Sequence, residues 1–137
     1  MKRTSINPTQ WNLNFGLDQG ESIEDFERVI HCSGQCSIVD DPNAEMGMRV
    51  DCEADLRGQM QKAMAHIDGV LEKGGMSRKD IIFVRIYTTD MDGFMENYDA
   101  YAEWIGATGL RPPQTLLGVN RLALPEMLVE IEAVAAV

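Results

Sequence analysis

The chain closes on RPPQTLLGVNRLALPEMLVEIEAVAAV, residues 111–137, and the fold turns on how this stretch is read. Its second half alternates with period two. Met127, Val129, Ile131, Ala133 and Ala135 fall on one face of an extended strand, and Glu130 and Glu132 fall on the other. The whole stretch reads as two strands joined by a tight turn. Carboxylates are costly to bury without partners. The acidic face is therefore either solvated, as in an ordinary antiparallel sheet, or it lines a polar pocket.

Upstream, Asp80–Thr89 (DIIFVRIYTT) is a second strand, with Ile82, Val84, Ile86 and Thr88 on one face and Phe83, Arg85 and Tyr87 on the other. Between these strands a helix is expected over residues 93–107, its buried side marked by Phe94, Tyr98, Tyr101, Trp104 and Ile105. Asp90 is placed to cap it, and Pro112-Pro113 blocks continuation. Further back, Asp51–Lys73 is the clearest helix. Leu56, Met60, Ala63, Met64, Ile67, Val70 and Leu71 form one apolar stripe, and Gly74-Gly75 ends it. Met60 and Met64 read as core filler. Arg28–Ser33 is a short strand with Val29, His31 and Ser33 on one face, and Ala44–Val50 is another. Residues 1–20 read as irregular and ESIEDF as a polar turn.

The order strand, helix, strand, helix, strand implies two β-α-β passages and an α+β fold. A single mixed sheet would carry two helices on one face. Its other face, with Phe83, Arg85, Tyr87 and the glutamates, is left bare. A half-apolar sheet face is normally covered, most simply by further copies of the chain.

At 137 residues one domain, residues 1–137, is expected. The net charge of -10 and the absence of a Lys/Arg cluster argue against a nucleic-acid partner. No apolar run is long enough to cross a bilayer, and the N-terminus lacks the apolar core of a signal peptide. A cytoplasmic location without membrane contact is expected. Cys32, Cys36 and Cys52 lack metal-site spacing, and only His31 and His66 could join them, so no metal is expected.

Four stretches, in order, carry a resemblance. They are CSGQ at residues 32–35, the long helix running into Gly-Gly-Met-Ser, the block DIIFVRIYTTDMDGFMENYDAYAEW, and the terminal VEIEAVA. Together, from about Phe15 onward, they resemble the reactive-intermediate deaminase (Rid, YjgF-like) family, also labelled endoribonuclease L-PSP. The resemblance implies a chorismate-mutase-like fold, assembled as a homotrimer whose sheets line a central barrel, with pockets at subunit boundaries. It implies hydrolysis of enamines or imines to keto acids and ammonia, without a cofactor.

It also implies site residues. Glu130 matches the glutamate that positions the attacking water. Ser33 and Gly34 match the SGQ motif, and Asn97 and Tyr101 match the asparagine and tyrosine of the second helix. Two positions depart from the pattern. The arginine that holds the substrate carboxylate falls on Gln114, in Pro-Pro-Gln-Thr, and the N-terminal tyrosine falls on Leu17. An amide can hydrogen-bond a carboxylate but cannot neutralise it. Arg85, sharing a face with Tyr87, could bind an anion or pair with Glu130 or Glu132, and Arg111 is a second possible replacement. Two functions remain open: an imine or enamine hydrolase with an atypical pocket, or a metabolite-binding regulatory trimer on the same scaffold.

Overall fold

The computed structural model describes residues 1–137. In chain order the elements are β1 (Lys2–Ile6), β2 (Gly20–Glu24), β3 (Val29–Gln35), β4 (Ile38–Asp40), β5 (Met48–Val50), α1 (Leu56–Lys73), β6 (Ile81–Thr88), α2 (Met91–Glu96), α3 (Tyr98–Gly106), β7 (Gln114–Gly118) and β8 (Val129–Ala136). Single 3-10 turns lie at Trp11–Phe15 and Arg78–Asp80.

Four strands form a mixed sheet in the order β3-β8-β6-β7. β8 is antiparallel to both β3 and β6, and β6 is parallel to β7. The expected β-α-β passages are present: α1 carries the chain from β3 to β6, which flank β8, and α2 and α3 carry it from β6 to the adjacent β7. Two separate antiparallel hairpins, β1-β2 and β4-β5, accompany this sheet, so the strands do not make the single sheet expected.

The terminal stretch is not a hairpin. β6 lies between β7 and β8, and residues 119–128 run from one to the other. Alternation reports which face of a strand is apolar and is silent on its neighbour. The slot between β3 and β6 lets β8 pair along both edges, while its apolar face, Val129, Ile131, Ala133 and Ala135, is fully buried.

The N-terminus is also more ordered than expected. β1 pairs residue by residue with β2, from Lys2↔Glu24 to Ile6↔Gly20, so most of ESIEDF is strand. The two strands lack apolar alternation because charged and polar side chains hold them. Arg3 makes a bidentate pair with Glu21 at 2.7 and 2.8 Å and donates to the Ile81 carbonyl at 2.8 Å. Asn12 is fully buried and donates to the Leu17 carbonyl, while Asp18 accepts from Asn7 and pairs with Arg111.

Helix boundaries shift for local reasons. α1 begins at Leu56, not Asp51, because Cys52 and Ala54 hold positive φ and Asp55 caps the helix by accepting from Gly58 N–H. Its end is a Schellman turn. Gly75 has φ +73°, Met76 N–H reaches the Leu71 carbonyl, and the two apolar side chains are buried. The second helix is broken at Asn97, whose amide donates to the Gly93 carbonyl. A bulge between Ile81 and Phe83 turns Ile81, rather than Ile82, toward the helices.

All three helices cover one sheet face. The core joins Met60, Met64, Ile67 and Leu71 of α1, Phe94 of α2 and Tyr101 and Ile105 of α3 to Val84, Ile86, Ile131 and Ala133 of the sheet. Within this apolar layer Gln59 is fully buried. Its amide donates to the Glu126 carbonyl at 2.8 Å and accepts from Leu128 N–H at 2.8 Å, fastening the segment that leads into β8. Gln59→Leu is of similar size but removes the partner of the part-buried Leu128 N–H and Glu126 C=O. It is expected to lower the stability of the chain by about 2–4 kcal/mol, read as a lower urea midpoint at unchanged slope.

Candidate functional site

The open face of the sheet is built by register. Tyr87 stands opposite Glu130, Arg85 opposite Glu132 and Phe83 opposite Val134, while His31 of β3 flanks Val134 from the other side. Arg85 donates to Glu132 and lies over the Phe83 ring, 5.2 Å from its centroid. Of the alternatives open for Arg85, the ion pair with Glu132 is the one formed. Glu130 is left half-buried, with no hydrogen bond or ion pair to any side chain. Burial first, and the charge of Glu132 second, push its carboxyl above the ordinary carboxylate range.

A bulge between Cys32 and Gln35 shapes the other wall. It brings Gly34 under the Glu130 side chain so closely that a Cβ at position 34 would sit 2.7 Å from the Glu130 carboxyl carbon and 2.9 Å from its Cγ. Glycine is required here for close approach rather than for φ. Ser33 beside it is exposed, and the Gln35 amide donates to the Ser33 carbonyl. Cys36 follows; burial, then the charge of Glu130, push its thiol up. His66 of α1 bonds the Cys36 carbonyl through Nδ1 at 2.9 Å and so tethers the end of this turn. Cys36 was not among the expected site residues, because its approach to Glu130 depends on the bulge.

Gln114 and Leu17 lie elsewhere. Gln114 is in parallel register with Val84, which faces the helices, so it points away from the open face. Its Nε2 donates to the Tyr98 hydroxyl at 2.8 Å, and that hydroxyl donates to the Phe15 carbonyl at 2.8 Å. Leu17 is buried, its carbonyl held by Asn12. A cleft of about 310 Å³ runs alongside, lined by Phe15, Tyr98, Ile105, Leu110 and Arg111. Tyr98 is the additional residue of this group. Its helical spacing marked it as core, and only the fold places its hydroxyl on Gln114.

The last two expected residues belong to the helix layer. Asn97 sits at the break between α2 and α3, and Tyr101 is 1% exposed within the core, its hydroxyl without a partner. A single chain thus gathers Ser33, Gly34, Tyr87, Arg85 and Glu130 in one place and Leu17 and Gln114 in another, with Tyr101 packed against Tyr98 of the second group at 5.7 Å between ring centroids. A groove of about 720 Å³ between β3 and α1, lined by Ile30, Gln35, His66 and Lys73, contains none of them. No group of three or more His, Cys, Asp or Glu side chains is arranged to hold a metal ion.

Gly34→Ala is expected to displace the Glu130 side chain, visible as altered chemical shifts of its carboxyl in a carbon NMR spectrum. A raised folded-state pKa means that the folded chain holds the Glu130 proton more tightly than the unfolded chain. Stability contributed by this group is therefore present at low pH and lost as pH rises through the folded pKa. Glu130→Gln is expected to melt higher than the native chain at pH 7–8. The difference should close below about pH 4, where the carboxyl is protonated in both states.

The endoribonuclease L-PSP family model matches residues 21–137. A RutC family protein of Aquifex aeolicus is 33% identical over 103 residues, 75% of this chain and 76% of its own length. A RutC family protein of Pyrococcus horikoshii is 34% identical over 61% of this chain, a match spanning 64% of that relative. The crystal structure of YyfB from Yersinia pestis, a protein of unknown function in the conserved Rid family, superposes with a TM-score of 0.78. It is 31% identical and covers both chains completely. With the model spanning the sheet, all three helices and the turn around Gly34, this chain belongs to the endoribonuclease L-PSP family of Rid and YjgF-like proteins.

Proposed function

We propose that this chain is a cofactor-independent hydrolase of small imines or enamines. Its site would be completed between neighbouring copies in a homotrimer. The observation that carries this reading is Glu130: a carboxylate on the open sheet face, above Gly34, with no partner of its own while the adjacent Arg85 is engaged by Glu132. Water adds to the C=N carbon and Glu130 takes its proton. A carboxyl raised by burial is a better proton acceptor than an exposed one, and general-base assistance of this kind is worth about 10²–10⁴ in rate. In this reading the hydroxyl of Ser33, an exposed residue, binds the substrate.

Assembly follows from the same face. Phe83, Tyr87, Val134 and Leu117 leave it half apolar, and in one chain nothing covers it. Three such sheets facing inward would form a chorismate-mutase-like barrel. In this reading Gln114 and Leu17 of one copy complete the pocket around Ser33, Gly34 and Glu130 of the next. The family model's name carries a ribonuclease activity. With a net charge of -10 and no basic stripe, this chain offers little to a phosphate backbone.

One observation favours a second reading, a non-catalytic metabolite-binding trimer. Gln114, where the substrate-holding arginine would stand, brings no charge and is already bonded to Tyr98. The two readings separate in an assay of ammonia release from imines generated in solution. The hydrolase is expected to exceed the spontaneous rate and to lose at least about 100-fold on Glu130→Ala. A binding protein would leave the spontaneous rate unchanged. Light scattering is expected to give three times the 15.3 kDa chain mass; a monomer would remove the intersubunit site.

A further inference from the structure

Twelve basic side chains are available to this protein, and eight of them pair with carboxylates: Lys2, Arg3, Arg49, Arg57, Lys62, Arg78, Arg85 and Arg111. Both candidates for the role of the absent arginine are among the eight. Arg85 is held by Glu132, and Arg111 reaches Asp18 at 3.4 Å. Of the other four, Lys73 ends α1, Lys79 lies in the 3-10 turn before β6, and Arg28 lies beside Gly75 at the end of α1. Arg121, exposed in the connection from β7 to β8, is the remaining one. On the open face two carboxylates stand against one guanidinium, so the group formed by Glu130, Glu132 and Arg85 carries one negative charge when both acids are ionised.

A pocket built this way repels a substrate carboxylate. We propose that the site selects a cation without a carboxylate, and that the substrate is the protonated imine of a simple amine rather than a 2-imino acid. This rests on the reading of Glu130 as the water-positioning group and names the substrate class of that site. The cation lies against Glu130 with the Tyr87 ring beside it. Water adds to the carbon of R–CH=NH₂⁺, the π electrons move to nitrogen, and the proton lost by the water goes to Glu130. That proton returns to the amine nitrogen, the C–N bond breaks with ammonia leaving, and the hydroxyl passes its proton through Glu130 to the ammonia as the carbonyl forms. The sum is R–CH=NH₂⁺ plus H₂O giving R–CHO plus NH₄⁺. Gln114 of the neighbouring copy in the proposed trimer, bonded to Tyr98, contributes an uncharged wall.

The test uses the full-length chain and two substrate pools. Imines of primary amines are made with an amine oxidase, and 2-imino acids with an amino-acid oxidase, catalase being present in both. Wild type is expected to favour the carboxylate-free imines by at least tenfold in kcat/KM, and Gln114→Arg to shift that ratio at least tenfold toward 2-imino acids. Wild-type preference for 2-imino acids overturns the proposal. Loss of that preference in Arg121→Ala would name the cation responsible. A second arm does not depend on turnover: binding of propylammonium and of propionate is followed by NMR shifts of Tyr87 and Glu130. Propylammonium should bind at least tenfold tighter, and Glu130→Gln should abolish the difference. Equal binding, no binding, or tighter propionate overturns the charge selection. If neither pool is hydrolysed while propylammonium binds, the hydrolase reading fails and the charge selection stands.

Discussion

Everything in this protein is referred to β8, a strand hydrogen-bonded along both edges with opposite demands on its two faces. Val129, Ile131, Ala133 and Ala135 are buried under the helices. The alternate positions present Glu130, Glu132 and Val134 to the uncovered side. A shift of one residue in register would drive both glutamates into the apolar layer, where an unpaired carboxylate costs several kcal/mol. The alternation that makes the core therefore also aims the two acids. Gln59 reinforces this from α1 by holding the backbone at Glu126 and Leu128, immediately before the strand begins.

The two acids have separate fates because of their cross-strand neighbours. Glu132 faces Arg85 and is neutralised by it. Glu130 faces Tyr87, which offers no charge, and lies on Gly34, which offers no side chain. Two identical residues two positions apart thus become a structural ion-pair member and a free carboxylate. The contrast resides in β6 and in the bulge of β3, not in β8 itself. It explains how one acid is left available while the sheet remains electrostatically tolerable.

The N-terminal segment solves a different problem. It leaves Ile6, Trp11, Leu13 and Phe15 exposed, yet it is tied down by a network of side-chain amides, a buried aspartate and the anchoring of Arg3 on the start of β6. Its order brings Phe15 onto Tyr98 and so fixes the surroundings of Gln114. Polar satisfaction substitutes here for a hydrophobic core.

Much of the fold was legible in the chain because periodicity reports burial directly. The apolar stripe of α1 apart from the exposed Val70, its Gly-Gly end, the cap at Asp90, the alternation of β8 and of β6 beyond its bulge, and the two β-α-β passages follow from spacing alone. So does Glu130 as a side chain of the open face. Partners were not legible, since period two says nothing about which strand lies alongside. Alternation makes the terminal stretch look like a hairpin although β6 separates its strands, and it gives no sign of the β1-β2 hairpin because ion pairs hold that one. Tertiary structure alone decided that Arg85 serves Glu132, that Gly34 lies under Glu130, and that Gln114 turns to Tyr98 on the other side of the sheet. Each of these is a contact between residues far apart in the chain: Gly34 in the sequence allows a bulge or a close backbone approach, but local sequence does not name the partner that a register or a bulge brings.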